Sequence, residues 1–138
     1  MGTSDAIDPA ITTPVYGGCF CGKIRYQFRR PEVITVNCHC SMCRKTSGAP
    51  FVSWLVVPTE QFGYVKGEPT VLESSDTGTR FFCGDCGTPL VCINAEHPQW
   101  TDITLGSLDQ PEAFSPTKEV YADTRLGWLK DRLENYDG

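Results

Sequence analysis

Seven of the eight cysteines in this 138-residue chain fall into three short groups. The groups are a CxC pair, a CxCxxC triplet and a CxxC pair: Cys19 and Cys21; Cys38, Cys40 and Cys43; Cys83 and Cys86. Cysteines so close together seldom bond to each other and commonly hold one metal ion. Four disulfides are the competing interpretation. Because no hydrophobic leader opens the chain, we expect a reducing compartment, and the groups then predict metal sites.

Composition limits the classes of protein to consider. Hydrophobic residues make up 40% of the chain and charged residues 21%, as in one globular domain. A net charge of −5 and a pI of about 4.9 argue against a nucleic-acid or anionic-membrane surface. We expect one cytoplasmic domain at residues 16–138, preceded by a loose N-terminal arm at 1–15. Neither nucleic acid nor membrane is an expected partner.

Short strands separated by Gly and Pro breaks dominate the pattern along the chain. Residues 23–28 alternate between polar and apolar side chains, which is typical of a half-buried strand. Further strands are predicted at 33–36, 51–57, 62–65, 70–72, 79–82, 90–93, 102–105 and 119–122. A short helix is predicted at 41–47, closed by Gly48, and leucines at 126, 129 and 133 indicate another near the C-terminus. This pattern predicts an all-β domain with few short helices, built as packed sheets or a partly open barrel.

The CxxCG motif at Cys83 and Cys86 is typical of a zinc knuckle. A glycine at position 87 permits the tight turn that lets backbone N–H groups face the sulfur atoms. The predicted partner is the CxCG motif at Cys19 and Cys21, where flanking glycines also allow a turn. Four thiolates complete a tetrahedral shell, so the two pairs predict one structural zinc. Free buried cysteines are the alternative.

The triplet Cys38, Cys40 and Cys43 has no obvious fourth thiolate nearby. Three protein ligands with one exchangeable position are typical of catalytic zinc. One alternative is that Cys92 or His97 completes a closed structural shell. Cys92 lies in an apolar run, however, which favours a small buried hydrophobic side chain. The other alternative is a metal-free redox centre.

An open three-thiolate zinc would carry a net negative charge and would suit a soft ligand. A substrate thiol in the fourth position would lose its proton at neutral pH and could then attack a carbonyl or leave a carbon–sulfur bond. Thiol chemistry is therefore favoured over peptide or phosphate hydrolysis. The sequence does not select a general acid or base.

Several polar residues surround the triplet. Arg44 and Lys45 could hold a substrate carboxylate, although solvated helix charges are the preferred interpretation. His39 lies between two candidate ligands and should point away from an ion that they share. Only closeness to that ion would give His39 or His97 a role in proton transfer. The aromatic residues interpreted as core are Trp54, Trp100, Trp128, Phe81 and Phe82.

Three motifs together resemble the glutathione-dependent formaldehyde-activating enzyme family, also called the centromere protein V family. They are GGCFCGKIRY at 17–26, CHCSMCRK at 38–45 and FCGDCGTPL at 82–90. The GSLD segment at 106–109 and the Trp-Leu pair at 128–129 also resemble the family's pattern. The resemblance spans about residues 16 to 130.

The resemblance implies a β-tent fold, with small stacked sheets around a structural zinc, related to guanine-nucleotide-exchange chaperone and methionine sulfoxide reductase folds. It implies a structural zinc on Cys19, Cys21, Cys83 and Cys86, and a second, labile zinc on Cys38, Cys40 and Cys43. It also implies a carbon–sulfur lyase that joins glutathione and formaldehyde as S-(hydroxymethyl)glutathione. A non-catalytic zinc-binding interaction module and a thiol redox sensor are the rival hypotheses.

Overall fold

The structure is a computed structural model that describes residues 13–29 and 33–135. Its strands are β1 Val15–Gly18, β2 Arg25–Phe28, β3 Ile34–Cys38, β4 Val52–Pro58, β5 Phe62–Lys66, β6 Thr70–Glu73, β7 Gly78–Phe82, β8 Pro89–Asn94, β9 Trp100–Thr104 and β10 Lys118–Val120. The α-helix of the described ranges is α1, Ser41–Ser47. Short 3-10 turns lie at Thr59–Gln61, Leu105–Ser107, Pro111–Ala113, Ala122–Thr124 and Gly127–Lys130. The predicted all-β class is confirmed.

The strands form two sheets. The larger has seven strands in the order β10-β3-β4-β9-β8-β7-β6, and the smaller has three in the order β1-β2-β5. Strands β10 and β3 are parallel, whereas the other neighbours are antiparallel. None of the helices within the described ranges has the length and apolar character needed to cross a membrane.

The main hydrophobic core joins the small sheet to one face of the large sheet. Ile103 of β9 lies opposite Leu55 of β4 and Val91 of β8. These side chains cluster with Tyr26 and Phe28 of the small sheet, and all five are at most 2% exposed. Each such burial contributes about 1.5–3 kcal/mol, so this face supplies much of the stability.

The opposite face of the large sheet carries different chemistry. Because side chains alternate along a strand, the neighbours of these core residues point to that other face. The register aligns one row across five strands: Val56, Asp102, Cys92, Arg80 and Leu72. A second, smaller apolar cluster lies on this face and contains Cys38, Cys43, Val52 and Trp54. This face therefore places polar and thiol groups away from the main core.

Most elements agree with the sequence pattern, and two do not. The helix at 41–47 is confirmed, and its C-cap Gly48 has a φ of 73°. The β1 strand was missed because its VYGG sequence has weak strand propensity, and pairing with β2 decides its conformation. The predicted C-terminal α-helix is wrong within the described ranges, where only the 3-10 turn Gly127–Lys130 forms. Of the predicted arm at 1–15, residues 1–12 lie outside the described residues.

The segment at 106–109 ties the end of β9 to the small sheet. The Tyr26 hydroxyl lies 2.6 Å from Ser107 Oγ. The Arg25 guanidinium donates to the Asp109 carboxylate, with one N–H···O distance of 3.0 Å. Asp109 thus anchors the segment after β9 to Arg25 of the small sheet.

We expect Gly17→Ala to destabilise the protein by about 1–3 kcal/mol, the usual cost of overpacking. A Cβ atom at this position would overlap the hydroxyl of the fully buried Tyr26 and lie 2.8 Å from the Ser107 carbonyl oxygen. Urea unfolding followed by circular dichroism measures the effect. The matched control is Gly63→Ala in β5, where no heavy atom lies within 4 Å of the added methyl. Equal destabilisation by the two substitutions would contradict this packing argument.

Candidate metal centres and the adjoining cavity

The first cysteine cluster joins two distant turns of the chain. The sulfur atoms of Cys19, Cys21, Cys83 and Cys86 all lie within 4.8 Å of one another. The Cys19–Cys21 and Cys21–Cys83 sulfur separations are 3.6 and 3.7 Å. Four sulfurs at the usual zinc–sulfur distance in a tetrahedron lie ~3.8 Å apart. The donor set and its spacing therefore fit a four-thiolate zinc.

The two turns that carry this cluster both close on a glycine. The Gly22 amide donates to the Cys19 carbonyl oxygen at 3.1 Å, and the Gly87 amide donates to that of Cys83 at 2.8 Å. Both glycines are left-handed, with φ of 82° and 84°. Only glycine adopts this conformation without strain, so each turn requires a glycine directly after its cysteine pair.

Hydrogen bonds favour the thiolate form of individual sulfurs in the first cluster. A backbone hydrogen bond from Lys23 lowers the pKa of Cys21, but desolvation and the neighbouring cysteines raise it overall to about 11. Backbone amides donate to sulfur, from Ile24 to Cys19 at 3.3 Å and from Cys86 to Cys83 at 3.4 Å. A hydrogen bond with the Thr88 hydroxyl lowers the pKa of Cys86 to about 5. Metal ligation requires deprotonated sulfur, so these contacts prepare the cluster for an ion.

The second cluster lies where β3 leads into α1. Cys38 ends β3, Cys40 is the N-cap of α1, and Cys43 lies in its first turn. Their three sulfur atoms are within 4.8 Å of one another. The Cys43 amide donates to Cys40 Sγ at 3.4 Å, which caps the helix with a candidate ligand. The strand-to-helix corner thus gathers three sulfurs from six residues.

A short sulfur–sulfur contact polarises the second cluster. Cys38 Sγ and Cys43 Sγ lie 3.3 Å apart. Their shared hydrogen bond lowers the pKa of Cys43 to about 5 and raises that of Cys38. One sulfur is therefore anionic at neutral pH, which suits a soft cation.

Residues beside the triplet hold the corner in place. His39 Nε2 hydrogen-bonds to Glu119 Oε1 at 2.5 Å, so the ring points away from the cluster as predicted. The Arg44 guanidinium donates to the carbonyl oxygens of His39 and Thr124 at 2.8 and 2.9 Å. Arg44 is thus held by backbone through Nη1, and a role in holding a substrate carboxylate stays a prediction. Lys45 is exposed on the helix.

Neither predicted candidate for a fourth ligand joins the second cluster. Within the described ranges, the ligand atoms that lie within 4.8 Å of one another there are the three sulfurs alone. Cys92 is half-buried in β8, and His97 is exposed in the turn before β9. The arrangement leaves three protein donors, as an exchangeable metal position requires.

A cavity of about 330 Å³ opens beside the second cluster. The three cysteines form part of its wall. Its polar lining residues are Ser74, Ser75, Thr77, Arg80, Asn94 and Asp102. Trp54 and Arg80 separate it from a more apolar cavity of about 250 Å³ on the same face of the sheet. The triplet therefore faces a space large enough for a small substrate.

Trp54 belongs to this wall rather than to the main core. Its side chain is 5% exposed and packs in the smaller apolar cluster. Trp128, by contrast, is 53% exposed, so its interpretation as a core residue is wrong.

Arg80 is a site residue that sequence reasoning missed. Its guanidinium lies 3.8 Å from Cys43 Sγ and 5.9 Å from the centroid of the Trp54 ring. A further hydrogen bond from Nε to Ser74 Oγ, at 3.0 Å, fixes its direction. The sequence feature that could have identified Arg80 is its charge, which is unusual inside the strand-like run at 79–82. Its positive charge stabilises anionic sulfur.

Asp102 was also missed, because it stands at the first position of the strand predicted at 102–105, where a polar residue gives no signal. Burial raises its pKa to about 6, and the charge of Cys43 acts in the same direction. Arg80 opposes this shift. A carboxyl group with such a pKa can gain or lose a proton near neutral pH.

These features define a mostly β protein with two cysteine clusters that could hold metal ions. Residues 14–124 match the family model described as glutathione-dependent formaldehyde-activating enzyme. A curated protein of Halomonas elongata, named after the same family, is 31% identical over 132 residues, covering 88% of this chain and 83% of the relative. The chain therefore belongs to the glutathione-dependent formaldehyde-activating enzyme family.

A solved structure shares the fold. The crystal structure of a Rhodobacter sphaeroides protein superposes with a TM-score of 0.63 at 20% identity. The match covers 76% of this chain and 99% of the other. At this identity the similarity concerns the fold alone.

Proposed function

We propose that the protein is a zinc-dependent enzyme of the carbon–sulfur lyase type that acts on a thiol adduct such as S-(hydroxymethyl)glutathione. The observation that carries this proposal is the second cluster, whose three sulfurs lie within 4.8 Å of one another on the wall of a cavity of about 330 Å³. Family membership supports glutathione and formaldehyde as the reacting partners. A cavity with polar walls favours an enzyme over a non-catalytic zinc module.

In this proposal the two clusters have separate roles. Cys19, Cys21, Cys83 and Cys86 hold a structural zinc, and Cys38, Cys40 and Cys43 hold a second, exchangeable zinc. A zinc ion in the second cluster would favour the thiolate form of an incoming thiol. Arg80, 3.8 Å from Cys43 Sγ, offsets the excess negative charge of the three sulfurs. The clusters belong to one β-tent domain from about residue 16, in the cytoplasm, where thiols stay reduced.

The bond changes follow from the chemistry of a thiol and an aldehyde. The thiol loses its proton, and its sulfur forms a bond to the carbonyl carbon. The π electron pair moves to oxygen, which takes up a proton and becomes a hydroxyl. Cleavage is the reverse. The cavity would orient the adduct's carbon–oxygen group and limit the water around it.

Cys40→Ser is expected to abolish turnover while leaving the fold largely intact. A serine oxygen is a poor replacement for thiolate, so we expect one zinc per chain to be lost and turnover to fall by about 10²-fold or more, as for other losses of a metal-bound group. Activity is measured above the uncatalysed reaction, zinc by native mass spectrometry, and folding by circular dichroism. The matched control is Ser41→Ala, an exposed neighbour on the same helix. Wild-type turnover in Cys40→Ser would refute the proposal.

A thiol redox sensor is the second candidate, because the Cys38 and Cys43 sulfurs lie only 3.3 Å apart. Thiol–disulfide exchange with a small disulfide, which would itself be reduced to two thiols, could join these two residues in a disulfide. Mass spectrometry of protein isolated under reducing conditions separates the candidates. Zinc in the second cluster favours the enzyme, and a metal-free disulfide favours the sensor.

A further inference from the structure

The strongest unexplained feature of the cavity is an isolated carboxylate on its wall. Asp102 forms no salt bridge and no hydrogen bond through its side chain with any residue in the ranges 13–29 and 33–135. Other carboxylates in this protein have partners, such as Asp109 with Arg25 and Glu119 with His39. The Asp102 side chain is partly exposed and lines the cavity, so its carboxylate is accessible to a group bound there.

Asp102 is not a further member of the metal cluster. The mutually close ligand atoms of the second cluster are the sulfurs of Cys38, Cys40 and Cys43, and no carboxylate oxygen of the described residues lies among them. The side chain also does not hydrogen-bond to any of these three cysteines. Asp102 is therefore free to act on a group in the cavity that it lines.

Arg80 connects the position of Asp102 to the cluster. Asp102 on β9 is level with Cys92 on β8, which is level with Arg80 on β7. The Arg80 guanidinium reaches from this row to within 3.8 Å of Cys43 Sγ. Asp102 and the three cysteines line the same cavity, so a group bound at the cluster can extend toward the carboxylate.

We propose that Asp102 is the general acid and base of the reaction, and that it exchanges a proton with the oxygen of the aldehyde-derived group. This inference rests on the proposed function and names the residue that transfers the proton. The other titratable groups that line the cavity with Asp102 are Arg80 on β7, Cys92 on β8, Tyr121 and the three cysteines of the second cluster. None of these other groups is a carboxylic acid.

The proton balance is simple. In the direction of addition, the sulfur attacks the carbonyl carbon while the Asp102 carboxylic acid donates its proton to the carbonyl oxygen. Asp102 then regains a proton from solvent, which replaces the proton released by the substrate thiol. In the direction of cleavage, the Asp102 carboxylate takes the hydroxyl proton, the carbonyl re-forms, and the electron pair of the carbon–sulfur bond returns to sulfur.

Asp102→Asn tests this role with S-(hydroxymethyl)glutathione as the probe. The amide keeps the size of the side chain but cannot transfer the proton, so we expect kcat to fall by about 10²–10⁴-fold with KM and zinc content little changed. The acidic limb of the pH–rate profile should disappear. The matched control is Asp76→Asn, an exposed carboxylate in the turn between β6 and β7. An equal effect of both substitutions would overturn the assignment.

A second measurement does not depend on activity. Since burial raises the pKa of Asp102 to about 6 in the folded chain from an ordinary value of 3.8, the unfolded state ionises first as pH rises. The folding constant of the wild type should therefore fall about tenfold relative to that of Asp102→Asn between about pH 5 and 7.5. Zinc binding that is equal in the two proteins cancels in this ratio, whereas the burial of Asp102, the main cause of its raised pKa, does not.

The outcomes separate the two proposals. A wild-type protein without turnover above background overturns the proposed function and the role of Asp102 with it. An active wild type with a fully active Asp102→Asn variant overturns only the role of Asp102. A folding ratio that does not change with pH shows an ordinary solvated carboxylate and also overturns that role.

Discussion

Cys83→Ser is expected to abolish cooperative folding of the isolated chain at 25 °C. Cys83 is 2% exposed and is one of the four sulfurs that join the turn after β1 to the turn after β7. Structural zinc in small domains contributes about 10–16 kcal/mol of binding free energy, whereas the net stability of a domain is about 5–15 kcal/mol. Loss of one ligand therefore removes an amount comparable to the whole stability. Urea unfolding and zinc content measure the result.

The matched control for this prediction is Cys92→Ser. Cys92 is half-buried and is not among the mutually close ligand atoms of either cluster. We expect this variant to keep the wild-type zinc content and a cooperative transition. A Cys83→Ser protein with the wild-type unfolding midpoint would show that the four-cysteine cluster does not stabilise the fold.

If the two clusters hold zinc as proposed, chelation is expected to release the two ions in separate steps. An ion with three protein donors has a position at which a chelator can bind, whereas the four-cysteine set closes its shell. Cys19 and Cys83 of the closed set are also buried, which slows access. We expect the first zinc to leave with little change in circular dichroism and the second to leave only as the sheets unfold. Native mass spectrometry during incubation with EDTA follows both steps.

A variant distinguishes the two steps directly. The Cys40→Ser protein should begin with one zinc per chain and show only the slow step. Simultaneous loss of both ions from the wild type, with unfolding, would mean that the two clusters are equally closed.

The large sheet separates stability from chemistry by its two faces. Ile103 and Asp102 are neighbours on β9, yet the first is fully buried in the main core and the second faces the cavity. This follows from the alternation of side chains along a strand. The core can therefore remain apolar while the opposite face keeps a carboxylate, a guanidinium and thiols together.

Local sequence chemistry accounts for much of this arrangement. Cys38, Cys40 and Cys43 lie at the end of β3 and the start of α1. The local backbone of this strand-to-helix corner is therefore enough to bring their three sulfurs together. The glycine after each cysteine pair has the left-handed conformation that its turn requires. The all-β class follows from short strand-like runs with few helical patterns.

The strand-rich class, the three-cysteine cluster and the two separate cysteine pairs could be read from the sequence, because each depends on a pattern within a few residues. The union of the two pairs was inferred from ligand count, since four thiolates complete a zinc shell. That Arg80 and Asp102, from distant strands, share a cavity with the triplet could not be read in this way. Strand order and register fix that meeting, and they depend on long-range packing between β4, β9, β8 and β7. A charged residue within a predicted strand indicates that its side chain has polar surroundings. It does not indicate which residues of other strands form those surroundings.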